Sequence, residues 1–324
     1  MPFSDLPPAL LVDYVPDVAD PVDFDDFWST TLAESRAVGG QTVIVPAETS
    51  IDQLIVEDLT FPGYLGEPIK AWITRPKGSA GPLPAVVEFI GYNGGRGLPG
   101  EQLRWAASGY VHVYMDTRGQ GSGWGSGGDT PDPYGSGPAS GGWMTKGIGN
   151  RETYYYRRLF TDAVRLVDAV AALDFVDDAR IAVTGGSQGG AITLAVAGLV
   201  DGLIGVMPDV PFLCDFRRSV DLTPAAPFTE VRTYLSVHRA DVAAVFDTLS
   251  YFDGVNFARR ATAPALFSVG LMDDIVLPST VFGAFNSYPV ADREIEVYEF
   301  NGHDGGGFHQ WVRQARWLAD RQAF

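Results

Sequence analysis

The chain has 324 residues, 46% of them hydrophobic and 19% charged, which supplies a packed core and excludes disorder along the whole length. A formal net charge of −17 at pH 7 predicts a surface that repels phosphate backbones and anionic lipid, so neither nucleic-acid nor membrane partners are expected. The single cysteine, Cys214, leaves no intrachain disulfide and no Cys-rich zinc site.

Residues 1–15 lack the basic start and continuous apolar core of a secretory signal, and no stretch of bilayer length is free of charges and turn residues. A cytoplasmic protein is expected. After Pro-rich acidic turns, residues 25–37 place Phe27, Trp28, Thr31, Leu32 and Ser35 at helical spacing, so residues 1–50 read as a helical extension. β-Branched and aromatic residues at 55–61 and 69–75, separated by turn residues at 63–68, predict two paired strands and a β-rich entrance to the fold.

Apolar runs at 85–91 and 111–116 follow, with a candidate helix at 101–108 between them. Short apolar strands alternating with helices predict a mostly parallel sheet covered on both faces. Residues 119–149 are dense in Gly, Ser, Pro and Asp and predict a long irregular loop of the kind that is usually functional. The apolar stripe at 157–175 is a sheet-covering helix, 180–184 a buried strand, 185–189 a sharp turn and 190–199 a small-residue helix. Strands at 205–211 and 265–270 enclose an insertion, 212–262, that contains Phe212, Arg217, Tyr234, His238 and Tyr251 and is expected to shape a pocket above the sheet. A strand at 294–300 and a helix at 310–321 end the chain. There is no internal repeat or convincing linker, so residues 1–324 read as one α/β domain.

Gly185-Gly186-Ser187-Gln188-Gly189 matches G-x-S-x-G between a predicted strand and a predicted helix. That is the context of a strained nucleophile turn in an α/β-hydrolase fold, where a Cβ on either side of the serine would collide with backbone. A serine hydroxyl needs an imidazole to take its proton and a carboxylate to orient that imidazole, and in this fold they follow in the order serine, acid, histidine. After Ser187, the strand at 265–270 runs into Asp273-Asp274 and the strand at 294–300 runs into His303. Of the four histidines, His112 precedes the serine, His238 lies in the insertion and His309 starts the last helix, which leaves His303. Asp273 is favoured over Asp274, which reads as a solvated or turn-forming residue. The developing oxyanion needs two amide donors, and the matching positions are Gln188, after the serine, and Tyr92, in the glycine-rich turn that follows the strand at 85–91.

These residues resemble carbohydrate esterase family 7, the acetyl xylan esterases and cephalosporin C deacetylases. The resemblance covers nearly the whole chain: the helix at 25–35, Asp58-Leu59-Thr60-Phe61, Arg75-Pro76-Lys77-Gly78, the Gly91 to Gly97 turn, Asp116-Thr117-Arg118-Gly119-Gln120-Gly121, the serine motif, Gly270-Leu271-Met272-Asp273 and His303-Asp304-Gly305-Gly306-Gly307. It implies Ser187 as nucleophile, Asp273 rather than Asp274 as acid, His303 as base and the Tyr92 and Gln188 amides as oxyanion donors. It also implies Arg118 and Gln120 as supports of the site floor, no metal or organic cofactor, a small acetylated substrate, and a homohexamer whose sites face an enclosed cavity. Three positions depart from the family pattern: Ile90 stands for the usual histidine before Gly-Tyr, Asp304 for the usual glutamate, and Ile275-Val276-Leu277-Pro278 for the usual Cys-Pro-Pro stretch. A change in how the Tyr92 loop is held is therefore expected.

The expected activity is hydrolysis of acetyl esters of small sugars, such as acetylated xylo-oligosaccharides, and of related alcohols such as cephalosporin C, through an acyl-enzyme. A peptidase or dienelactone-type hydrolase on the same scaffold is the alternative, followed by a catalytically silent binding module. The chain has no length for a β-propeller, a serine replaces the cysteine of lactone hydrolases, and a silent module has no need to keep serine, acid and histidine in register.

Overall fold

The computed structural model describes residues 5–134 and 142–321. Part of the glycine-rich loop, residues 135–141, lies outside the described residues. In chain order the strands are β1 (Val43–Pro46), β2 (Leu54–Pro62), β3 (Pro68–Pro76), β4 (Leu83–Phe89), β5 (Val111–Met115), β6 (Val176–Gly186), β7 (Gly205–Asp209), β8 (Ala265–Gly270) and β9 (Arg293–Tyr298). They form one sheet in the order β1-β2-β3-β5-β4-β6-β7-β8-β9. β1, β2, β3 and β5 pair antiparallel, and every pair from β5 across to β9 is parallel. This is the α/β-hydrolase arrangement, with the antiparallel β2–β3 hairpin forming the β-rich entrance.

The topology follows from burial. β5 and β8 are buried at every residue, as parallel strands covered on both faces must be, whereas β1 at the sheet edge is mostly exposed. Parallel neighbours need crossovers, and the helices Tyr155–Ala171, Gln188–Leu199 and Pro278–Ser287 lie in three of them, while Gly307–Asp320 follows the last strand. The insertion folds into the helices Phe216–Leu222, Phe228–Val237, Val242–Ser250 and Gly254–Ala258.

Differences from the sequence reading have local causes. The helix expected at 101–108 shrinks to Arg104–Ala107, because the Glu101 carboxylate accepts the Leu98 N–H and makes a turn of the residues before it. β6 starts four residues earlier than its apolar run, since Val176 pairs with Leu83 and the partly exposed polar stretch after it carries the chain past a register shift. β1 was not expected: it has four residues on an edge and too little alternation to signal a strand. The described parts of the 119–149 loop are irregular, as expected.

The helix Phe24–Val38 buries Phe24, Phe27, Trp28, Thr31, Leu32 and Ser35 on one face. Trp28 is its anchor. Its ring meets Phe160, Phe252 and Phe257 at centroid distances of 6.1, 5.6 and 5.4 Å, and its Nε1–H donates to the Tyr251 carbonyl at 3.0 Å. One side chain thus joins the N-terminal extension to the insertion and to the helix Tyr155–Ala171. Trp28→Ala is expected to cost about 3–5 kcal/mol, the range for deleting a large buried aromatic, read as a lowered midpoint in chemical denaturation.

Candidate active site

β6 delivers the chain into the turn at Ser187, whose φ of 58° and ψ of −118° lie where a residue with a side chain is strained. Three backbone hydrogen bonds hold it there: the Ser187 N–H donates to the Asp209 carbonyl at 3.0 Å, and its own carbonyl accepts from Ala191 and Phe212, each at 3.0 Å. Crowding explains two of the three glycines. A Cβ on Gly185 would stand 2.6 Å from the Gly189 carbonyl carbon, and one on Gly189 would stand 2.2 Å from the Phe89 carbonyl oxygen. Gly186 differs from expectation, since a Cβ there would enter open space.

The loop after β8 carries Asp273 and the loop after β9 carries His303. They approach closely because position 270 has no side chain: a Cβ on Gly270 would lie 2.2 Å from the Gly302 carbonyl. His303 Nε2 is 2.9 Å from Ser187 Oγ, and His303 Nδ1 is 2.8 Å from Asp273 Oδ2. Asp273 is buried and its other oxygen accepts the Ile275 and Val276 N–H groups at 2.9 Å each, which fixes the carboxylate and leaves Oδ2 for the ring. An ionised carboxylate can only accept, so Nδ1 carries the proton and Nε2 presents its lone pair to the serine. Asp274 remains half-buried outside this line. The other histidines are elsewhere: His112 is buried beside Glu88, His238 stacks on Tyr234, and His309 is exposed in the first turn of the last helix.

Gln120 joins the two proposed amide positions. Its Oε1 accepts the Asn93 N–H at 2.6 Å, next to Tyr92, while its Nε2 donates to Gln188 Oε1 at 2.9 Å and to the Tyr155 hydroxyl at 3.0 Å. Asn93 is held at φ 63°, which turns the chain behind Tyr92. Among the described residues, neither the Tyr92 nor the Gln188 amide is tied to a carbonyl in a turn, loop or cap, so both remain available as donors. Arg118 is fully buried and forks onto Asp162 at 2.6 and 2.7 Å, with Glu67 at 2.6 Å. Burial works against its charge, and the two carboxylates more than offset this and raise its pKa above the ordinary value. Among the described residues, Arg118 connects to the site through its carbonyl, which accepts the Tyr155 hydroxyl proton at 2.7 Å.

Ile90 is buried and contributes its carbonyl, which lies 3.4 Å from Gln188 Nε2. The Tyr92 loop is held by other groups: Trp124 Nε1–H donates to the Tyr92 carbonyl at 2.7 Å, and the Tyr92 hydroxyl donates to Glu230 at 2.9 Å and accepts from the Trp143 N–H at 2.6 Å. Burial, then the Glu230 carboxylate, pushes the Tyr92 phenol far above its usual pKa, so it stays protonated and donating.

Ser187 and His303 open into a cavity of about 400 Å³ walled by Tyr92, Trp124, Ala226, Pro227, Glu230 and Ile275. Trp124 and Glu230 escaped the sequence reading. Trp124 sits in the aperiodic loop, and Glu230 occupies the first turn of a helix, where an acidic residue is ordinary and signals nothing.

The model of the acetyl xylan esterase (AXE1) family matches residues 1–321. The acetyl xylan esterase from Paenibacillus sp. R4 is 36% identical, with a TM-score of 0.91 over 97% of this chain and 99% of that one. Acetyl xylan esterase 1 from Thermoanaerobacterium sp. JW/SL YS485 is 31% identical, with a TM-score of 0.89 over 98% of this chain and 100% of that one. The acetyl esterase Axe7A of Xylanibacter ruminicola is 26% identical over 314 residues, 91% of this chain, which spans 66% of that relative's length. With the family match running nearly end to end over a serine, histidine and aspartate set in line, the chain belongs to the acetyl xylan esterase family.

Proposed function

We propose that the protein removes acetyl groups from small acetylated sugars, such as acetylated xylo-oligosaccharides, and from related alcohols such as cephalosporin C, through an acyl-enzyme on Ser187. The observation that carries this reading is the ring of His303, spanning Ser187 Oγ at 2.9 Å and Asp273 Oδ2 at 2.8 Å at the floor of the cavity. His303 Nε2 takes the hydroxyl proton as Oγ attacks the ester carbonyl, and Asp273 stabilises the imidazolium that forms. The Tyr92 and Gln188 amides receive the oxyanion. His303 then protonates the leaving alcohol and afterwards deprotonates a water that releases acetate.

Ser187→Ala is expected to lower kcat on 4-nitrophenyl acetate by about 10³-fold or more, with an unchanged circular dichroism spectrum; retained turnover would take this serine out of the mechanism. In the unmodified protein, 4-nitrophenyl acetate is expected to exceed the octanoate in kcat/KM, as a deacetylase with a small acyl site requires; a preference for octanoate would contradict a small acyl site. Gln120→Ala leaves the Asn93 N–H without its acceptor and takes one donor from Gln188 Oε1, so kcat should fall about 10–100-fold with a smaller change in KM, measured by steady-state kinetics on the acetate.

A further inference from the structure

Glu230 lies in the wall of the cavity that holds Ser187 and His303, and among the described residues lining that cavity it is the one acidic side chain. It is half-buried, at the third position of the helix Phe228–Val237. The Tyr92 hydroxyl lies 2.9 and 3.0 Å from its two oxygens, and the Met144 N–H donates to Oε2 at 3.2 Å. All of these donors are neutral. Among the described residues Glu230 forms no ion pair, so its charge is not cancelled by a cation.

Burial raises the Glu230 pKa, while the Tyr92 hydroxyl and the Met144 N–H favour the charged form. The helix N-terminus favours it too. A carboxylate offers about four acceptor positions, so the bonds it makes leave capacity for a hydroxyl of a bound alcohol. The neighbouring walls, Trp124, Ala226, Pro227 and Ile275, carry no charge. An anionic leaving group held in this cavity would meet this carboxylate where water screens poorly, and among the described residues lining the cavity it would find no lysine or arginine.

Resting on the esterase reading above, we propose that Glu230 sorts leaving alcohols by charge, favouring acetates of neutral, hydroxyl-rich alcohols over acetates of alcohols that bear a carboxylate. Acetylated sugars then rank above cephalosporin C, whose leaving portion carries a carboxylate.

The test uses 4-acetoxybenzamide and 4-acetoxybenzoate, two esters of one shape that differ in charge, with each kcat/KM divided by the ester's own rate of hydrolysis by hydroxide. The wild-type protein should favour the benzamide about tenfold, the size of one like-charge contact in a partly desolvated site. The preference should survive about 0.5 M NaCl, where the −17 surface is screened and a charge inside the cavity is screened less. Glu230→Gln keeps an acceptor for Tyr92 and removes the charge, so it should bring the ratio close to one by raising the benzoate relative to the benzamide. A wild-type ratio near one, a ratio that vanishes in salt, or a Gln variant that changes both esters equally overturns the proposal. The first two arms decide it even where the variant misfolds. Failure to hydrolyse either ester would instead sink the esterase reading itself.

Discussion

A serine hydroxyl is a poor nucleophile until a base within hydrogen-bond reach can take its proton, so the site depends on the 2.9 Å contact between Ser187 Oγ and His303 Nε2. The contact joins residues 116 positions apart. It is fixed at three levels. The strained turn at Ser187 projects the hydroxyl out of the sheet, a carboxylate held by two backbone amides aims the ring, and Gly270 lets the acid and histidine loops touch. None of these can be relaxed alone, because a rotation of the ring toward either partner lengthens its bond to the other.

The same economy governs the amides beside the serine. Gln120 accepts from the residue next to Tyr92 and pairs with the Gln188 side chain, so a single buried amide sets the distance between the two donor positions. Behind it, Tyr155 links Gln120 to the carbonyl of Arg118, and Arg118 is pinned by Asp162 and Glu67. A buried ion pair contributes little net stability, yet removing one member would leave the other charge uncompensated. Its weight here is geometric: it fixes the backbone from which Gln120 projects.

Much of the fold was legible because parallel strands buried on both faces leave apolar runs, and β5, β7 and β8 appeared within a residue or two of those runs. The serine turn was legible for a related reason, since crowding between backbone segments demands glycine and glycine is visible in sequence. The edge strand β1 and the lead-in of β6 were not, because pairing with a neighbour can hold a short exposed segment extended, apolar in β1 and polar in β6, without any periodic trace. The same reasoning separates the site's residues. Ser187, Asp273 and His303 stand at strand ends in a readable order, whereas Glu230 and Trp124 come to the cavity through the folding of an insertion and a loop whose sequences carry no such order.

The division follows the chemistry. Groups that move protons must be positioned to a few tenths of an ångström, and they sit just past the carboxyl ends of β6, β8 and β9, where paired strands fix the start of each loop. Groups that would sort the leaving alcohol under the proposed function need only line a wall, and the cavity wall is drawn from the helix Phe228–Val237 and the glycine-rich loop. Tyr92 belongs to both sets: its backbone stands beside the serine, while its hydroxyl grips Glu230 in the wall. A change in the wall carboxylate therefore reaches the proposed oxyanion donor through one phenol ring, so the proposed charge sorting at Glu230 and turnover at Ser187 would be coupled through Tyr92.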